Sequence, residues 1–285
     1  MSTAITLALL SLAAAGILDV IFKRYSRKSR SRGIYVAICG VVWAALQLIY
    51  YSTYDINVSF DLNTIWFGTV AGICLAIANI SFIESLSHLN VSVGSTIYRL
   101  NTVGVVLLSV LFLGEPIGLF KALGVLVAIG SVWMLFDSSV GKDAHEQVAA
   151  FLWLATLASA LRAVFGVIAK GGLNAGANAE TVLLIYAVSW VPAGLIYGFF
   201  REKTIKLSRD SIAYGTASGI IICLLANFLI GAIQLGDVST VVPIANLSFM
   251  MALVVSAILG MEKLTWRKSQ AILLAGVAVY FLAQT

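Results

Sequence analysis

Two arginines stand deep within apolar stretches of the sequence, where a charged group needs a reason to be. Arg99 lies some 12 Å and Arg162 some 20 Å into their stretches at the rise of a helix. A guanidinium at such depth in lipid costs from about 2.5 to more than 10 kcal/mol, so it must face a polar cavity or pair with an acid. For Arg99 two interpretations stay open: an ion pair, with Glu84 or Asp19, or a cation that binds a ligand's carboxylate or phosphate. Arg162 allows the same two.

Amides and aromatic side chains within the same stretches are further candidates for a ligand-binding surface. Interhelical hydrogen bonds, worth roughly 0.6–2 kcal/mol each, would explain the amides equally well, and interfacial anchoring would explain some aromatics. Asp19 and Glu84 are also candidates for proton-carrying groups, with headgroup contact as the alternative. The remaining candidate binding residues are Tyr98, Asn101, Asn246, Asn79, Asn227, Trp43 and Trp190.

The composition indicates which elements must position these residues. Of the 285 residues, 60% are hydrophobic and only 11% are charged, whereas a soluble domain has about 25% charged residues. A bilayer core of about 30 Å needs about 20 apolar residues in a helix. An all-α membrane fold with ten transmembrane helices is therefore predicted, over residues 4–22, 33–51, 65–86, 91–113, 118–137, 149–169, 180–199, 211–233, 239–260 and 267–283.

The sequence repeats itself at an offset of 147 residues. A GxxxG motif at Gly68 and Gly72 recurs at Gly215 and Gly219, and the same shift pairs Trp43–Trp190, Glu115–Glu262 and Lys121–Lys268. Since each half holds five segments, an odd number, residues 149–285 must cross the membrane in the opposite sense to residues 1–137. Such inverted repeats are typical of transporters, because exchanging the conformations of the two halves opens a cavity to either side in turn.

The distribution of positive charge predicts the orientation. Most of the 18 lysines and arginines follow segments one, seven and nine, on one side of the predicted membrane. Cytoplasmic loops carry this excess, so both termini are expected outside, with the cytoplasmic (inner) membrane as the location. Because the charge lies in short loops beside helix ends, no nucleic-acid partner is expected despite the net charge of +5.

The sequence at the end of the fourth helix of each half resembles that of a known protein family. The stretches are Leu111-Phe112-Leu113-Gly114-Glu115-Pro116 and Ile258-Leu259-Gly260-Met261-Glu262-Lys263. With ten helices in two inverted fives, the chain resembles the drug/metabolite transporter superfamily, specifically its EamA-like members. The resemblance implies a central cavity with contributions from segments three, four, eight and nine. Independently, Glu115 and Glu262 are interpreted as carboxylates at the positive ends of helices five and ten, Glu115 because Pro116 favours a first helical position.

We therefore expect a secondary transporter that moves a small organic metabolite, anionic or zwitterionic, by alternating access. One alternative is a proton-coupled multidrug or quaternary-cation exporter that uses Asp19 or Glu84; another is a lipid flippase. An enzyme is not expected, because His88 and His145 are the two histidines and neither has a catalytic or metal-spaced cluster beside it. No cofactor or metal is expected. The expected partners are the solute and the bilayer, and a homodimer is left open.

Overall fold

The computed structural model describes residues 2–26, 30–85, 97–134, 146–203, 207–261 and 264–284. Over these ranges the regular structure is helical throughout, without strands. The helices are α1 Thr3–Ser26, α2 Arg32–Thr53, α3 Leu62–Ser85, α4 Asn101–Leu108, α5 Leu119–Trp133, α6 Glu146–Asn174, α7 Ala179–Tyr197, α8 Arg209–Leu235, α9 Val238–Asn246, α10 Phe249–Ile258 and α11 Trp266–Leu282. Short π-helical turns, Ser109–Leu113 and Gly198–Glu202, extend α4 and α7.

Seven of these helices or helix pairs are long and apolar enough to cross a membrane, counting Val238–Ile258 as one, and Ile97–Leu113 and Leu119–Trp133 are shorter apolar helices. Helices suit such a sequence because they satisfy every backbone amide and carbonyl without water. Large apolar side chains cover the outside, including Trp66, Trp133, Trp153 and Trp266, each more than 60% exposed. The chain is therefore an integral membrane protein.

Segment nine is interrupted midway, at Leu247, and segment four is interrupted at Leu100, three residues after its described part begins. At each break the residue's amide bonds to the carbonyl three residues earlier, and its carbonyl accepts from the amide three residues later, at 3.0–3.1 Å. The two breaks are 147 residues apart, so the local backbone follows the sequence repeat. Pro243, four residues before the second break, lies within α9 and does not itself end the helix.

The two GxxxG motifs are sites of close helix packing. A methyl group added at Gly68 or Gly72 would come within 2.8–2.9 Å of side chains of Ile185 and Ser189 in α7. At Gly215 and Gly219 it would come within 2.7 Å of side chains in α2, those of Ile38 and Val42. Glycine allows these approaches without any shift of the neighbouring side chains, and each partner pair is again separated by 147 residues.

Glu115 differs from its expected role. The chain from Gly114 to Gly118 is not helical, and α5 begins only at Leu119, so Pro116 does not start a helix. The Glu115 carboxylate instead accepts from the amides of Val238 and Ser239, at 2.8 and 2.9 Å. It therefore caps the N-terminus of α9, where the helix dipole favours a negative charge. Glu262, its repeat counterpart, lies outside the described residues.

Lys121 reinforces this connection between α5 and α9. Its ammonium donates to the Asp237 carboxylate at 2.8 Å and to the Ser239 hydroxyl at 3.0 Å. Lys121 is 3% exposed and Glu115 7%. We call Glu115, Lys121, Asp237 and Ser239 the α9 cap cluster. It joins the end of the first half of the chain to the second half.

Candidate functional site

Two adjoining cavities lie at the centre of the helix bundle. The larger, with about 820 Å³ of space including its open mouth, reaches Asp19, Tyr98, Arg99 and Asn246. The smaller, with about 470 Å³, reaches Trp43, Tyr186 and Trp190. Both walls share Leu18, Asn79, Arg162, Phe165, Leu225 and Leu229. In the described chain, α5 and α11 contribute nothing to either wall; they pack against each other.

Arg99 is held by a dense polar network. Its guanidinium pairs with the Asp19 carboxylate, donates to the Asn246 carbonyl at 2.5 Å and to the Ser248 hydroxyl at 2.8 Å. The Asn246 carbonyl is available because the helix breaks directly after it. Of the two acids that the sequence left open, the partner is Asp19 on α1, whereas Glu84 pairs with Arg32 and Arg201. The Arg99 charge is therefore largely compensated inside the protein.

Glu84 belongs to a separate cluster at the end of the bundle. Its carboxylate pairs with Arg32, accepts from the Tyr197 hydroxyl, and lies 3.3 Å from the Arg201 guanidinium. Glu84 is not part of either cavity wall. Of the two carboxylates considered for proton coupling, Asp19 alone therefore lies in the cavity.

Arg162 has a different environment. It contributes to both cavity walls, and its guanidinium lies 5.2 Å from the centre of the Phe165 ring. Within the described residues it makes neither a salt bridge nor a hydrogen bond, and its side chain is partly accessible. Arginine stays protonated in proteins, so among the described residues Arg162 gives the cavity a positive charge that no acid compensates.

Three aromatic donors line the smaller cavity. Trp43 and Trp190 meet edge to face with ring centres 6.0 Å apart, and Tyr186 packs against Phe165 at 5.3 Å. The indole Nε1 of both tryptophans and the Tyr186 hydroxyl are buried and have no hydrogen-bond partner among the described residues. Leaving a buried donor unsatisfied costs about 1–3 kcal/mol, so three such donors on residues that line one cavity require an explanation.

The four candidate amides divide into cavity and packing roles. Asn79 and Asn246 lie in cavity walls, whereas Asn227 and Asn101 do not. Asn227 exchanges hydrogen bonds of 2.9 and 3.0 Å with Gln47, which ties α8 to α2. Asn101 accepts from the Asn246 side chain beside the two helix breaks. For Asn227 and Asn101 the geometry favours interhelical hydrogen bonding.

Tyr186, Phe165 and Ser248 were missed by the sequence reasoning. Tyr186 and Phe165 have no aromatic repeat counterpart, because Cys39 and Leu18 stand 147 residues earlier. Ser248 does carry a signal, since it is the counterpart of Asn101. Because both equivalent positions are polar, the repeat itself identifies Ser248 as a candidate.

Comparison with known proteins agrees with this architecture. Residues 2–137 match the EamA-like transporter family. A solved structure described only as "Crystal structure of protein" superimposes with a TM-score of 0.84 at 13% identity, covering 99% of this chain and 98% of its own; at that identity the likeness shows the fold alone. Among curated protein sequences none matches. The family match confirms, over residues 2–137, the resemblance drawn from the sequence: this part of the chain is similar to the EamA-like transporters.

Proposed function

We propose that the chain is a secondary transporter that carries a small organic metabolite through the central cavity by alternating access. This proposal rests on one observation: at the cavity, two residues contact the residues that are equivalent to them in the repeat. Trp43 packs on Trp190, and Arg99 donates to the carbonyl of Asn246. In a twofold arrangement, only residues near the axis contact their own equivalents. These contacts support a cavity at the axis about which the two halves would exchange conformations.

The helix packing supports inverted five-helix halves, 1–137 and 149–285. Helix α3 packs on α6 and α7, and α8 packs correspondingly on α1 and α2. The glycine contacts of α3 with α7 recur between α8 and α2 at the repeat offset. Each half is thus completed by the other, as in transporters whose halves rock around a fixed site.

The interrupted segments support a binding role for the same region. Breaks at Leu100 and Leu247 leave backbone groups free of the regular helix ladder, which membrane proteins tolerate only beside a cavity or within protein. Discontinuous helices at mid-membrane are the usual site of substrate and ion binding in inverted-repeat transporters. In our proposal both termini lie outside the cytoplasmic (inner) membrane, and Arg32, Glu84 and Arg201 face the cytoplasm.

Cysteine accessibility tests alternating access directly. We would place Leu225→Cys, in the wall shared by both cavities, into a variant whose three native cysteines are replaced, and reconstitute it in liposomes. A membrane-impermeant maleimide should label this position from only one side at a time. Reversing the orientation of the accessible state, by ligand or by proton gradient, should move labelling to the other side.

Leu126→Cys provides the control, because Leu126 is 65% exposed on the outer face of α5. Lipid should protect it from the charged reagent on both sides. Simultaneous labelling of Leu225→Cys from both sides would indicate a channel. Its protection from both sides under every condition would remove the cavity as a transport route.

A further inference from the structure

We propose that the cavity binds an organic carboxylate through Arg162, with Tyr186, Trp43 and Trp190 as neutral donors around it. This inference rests on the proposed function and specifies its substrate class. The sequence left both Arg99 and Arg162 open as anion-binding residues. The geometry assigns that role to Arg162, because Arg99 already has Asp19, the Asn246 carbonyl and Ser248 as partners.

First, the net charge of the cavity walls, counted over the described residues, favours an anionic ligand. Their ionisable residues of fixed charge are Asp19, Arg99 and Arg162. Asp19 and Arg99 neutralise each other, so the formal sum is one positive charge, located on Arg162. A guanidinium at this depth, without an acid, is costly in an empty cavity and strongly favourable for an entering anion. An organic cation would meet this charge uncompensated.

Second, the smaller cavity has hydrogen-bond donors that need acceptors. Trp43, Tyr186 and Trp190 offer three donors without partners among the described residues, and these side chains are 1%, 1% and 4% exposed. An indole N–H can donate but not accept. A ligand that satisfies these groups must therefore bring acceptor oxygens, and a carboxylate supplies several lone pairs in one planar group.

The rest of the smaller cavity defines the body of the ligand. Its wall is completed by apolar side chains, including Leu75, Ile222, Ala226 and Ile230. Such a wall suits an apolar or aromatic body and disfavours a polyhydroxylated one, whose hydroxyl groups would lose hydrogen bonds to water. Phenylacetate combines these features, and phenylacetamide is its neutral counterpart of nearly the same shape.

Tryptophan fluorescence in nanodiscs tests the proposal without requiring transport. In a variant whose four exposed tryptophans are changed to phenylalanine, Trp43 and Trp190 are the remaining reporters. Phenylacetate should change their emission saturably, at a concentration at least about tenfold below that of phenylacetamide or benzyltrimethylammonium. Arg162→Gln should remove this preference, and Tyr186→Phe should weaken phenylacetate binding several-fold.

Arg209→Gln is the matched control, since it removes the same charge from an exposed position at the start of α8. It should bind phenylacetate like the parent. Equal affinity for the three probes, or unchanged carboxylate preference in Arg162→Gln, would overturn the proposal. So would loss of the response in phosphatidylglycerol nanodiscs with retention in phosphatidylcholine, because an anionic lipid headgroup would then occupy the site. A failed carboxylate test would leave the transport of another solute open. Failure of alternating access would instead remove the transport function and leave the binding result intact.

Discussion

The two arginines of the cavity differ in what surrounds them, although the sequence presents them alike. Arg99 donates to groups on α1 and on both sides of the break between α9 and α10. Arg162 stacks near Phe165 and has no acid partner within the described residues. One charge is built into the packing of the bundle, and the other is available to a ligand. Depth in the membrane alone therefore does not identify a binding residue.

The difference has a physical origin in the helix breaks. Interruption after Asn246 frees its carbonyl and brings Ser248 towards Arg99. Helix α6 runs unbroken from Glu146 to Asn174, so no backbone carbonyl is released near Arg162. Arg99, paired at a helix break, stabilises the fold. Arg162, unpaired among the described residues on a continuous helix, lowers the stability of the empty protein until an anion binds.

The largest effect is expected from separating Arg99 and Asp19. Removing one partner of a buried pair costs about 3–5 kcal/mol; since the Asp19 side chain is 35% exposed, we expect about 2–3 kcal/mol for Arg99→Gln. The thermal midpoint in detergent should fall accordingly, by roughly 5–10 °C. Combining Arg99→Gln with Asp19→Asn should cost less than the sum of the two changes, because the pair is already broken. Strict additivity would show that the pair contributes no coupling.

A smaller loss is expected at the α9 cap cluster, another buried charge network that joins the halves. Glu115→Gln keeps the shape of the side chain but replaces charged acceptors of the Val238 and Ser239 amides with one neutral oxygen. We expect a loss of about 1–2 kcal/mol, measured by thermal unfolding. Glu180→Gln, a change of the same type in the first turn of α7, is the comparison. Equal effects at both sites would contradict a specific role for the cap.

Asn79 on α3 and Asn227 on α8 also differ in their partners, and smaller effects on stability are expected from changing them. Asn227→Ala breaks the paired hydrogen bonds with Gln47 and should cost about 1 kcal/mol. Asn79 bonds to the carbonyl of Leu75 in its own helix, so Asn79→Ala should leave stability within about 0.5 kcal/mol. A larger loss for Asn79→Ala would place this side chain in the packing of the bundle.

The smallest effect concerns Asp61, the exposed residue that caps α3. Hydrogen bonds from the Thr64 side chain and amide hold the pKa of Asp61 below its ordinary value. The stabilisation is therefore present above the ordinary aspartate pKa and is lost as the pH falls through the lowered value. Asp61→Asn should match the parent at neutral pH, because asparagine caps equally well, and should show less decline in thermal midpoint under acid conditions.

Hydropathy predicted where the helices lie, because it depends on local sequence. The partners of Arg99 and Glu115 could not be predicted in the same way. Asp19 precedes Arg99 by 80 residues, and the rotation of each helix about its axis decides which acid it meets. Glu115 stands before Pro116, which suggests a cap for the next helix, but the turn directs the carboxylate to α9 in the other half. Tertiary geometry determines both contacts.

Thermal unfolding of the parent, Arg99→Gln and Arg162→Gln, each with and without saturating phenylacetate, tests the division between the two arginines most directly. Ligand that binds the native state raises its midpoint. Arg99→Gln should unfold at a lower temperature yet still be stabilised by phenylacetate. Arg162→Gln should unfold at or above the parent's temperature and gain nothing from it. A destabilised Arg162→Gln that keeps its response to phenylacetate, beside an Arg99→Gln that loses it at full stability, would contradict the account.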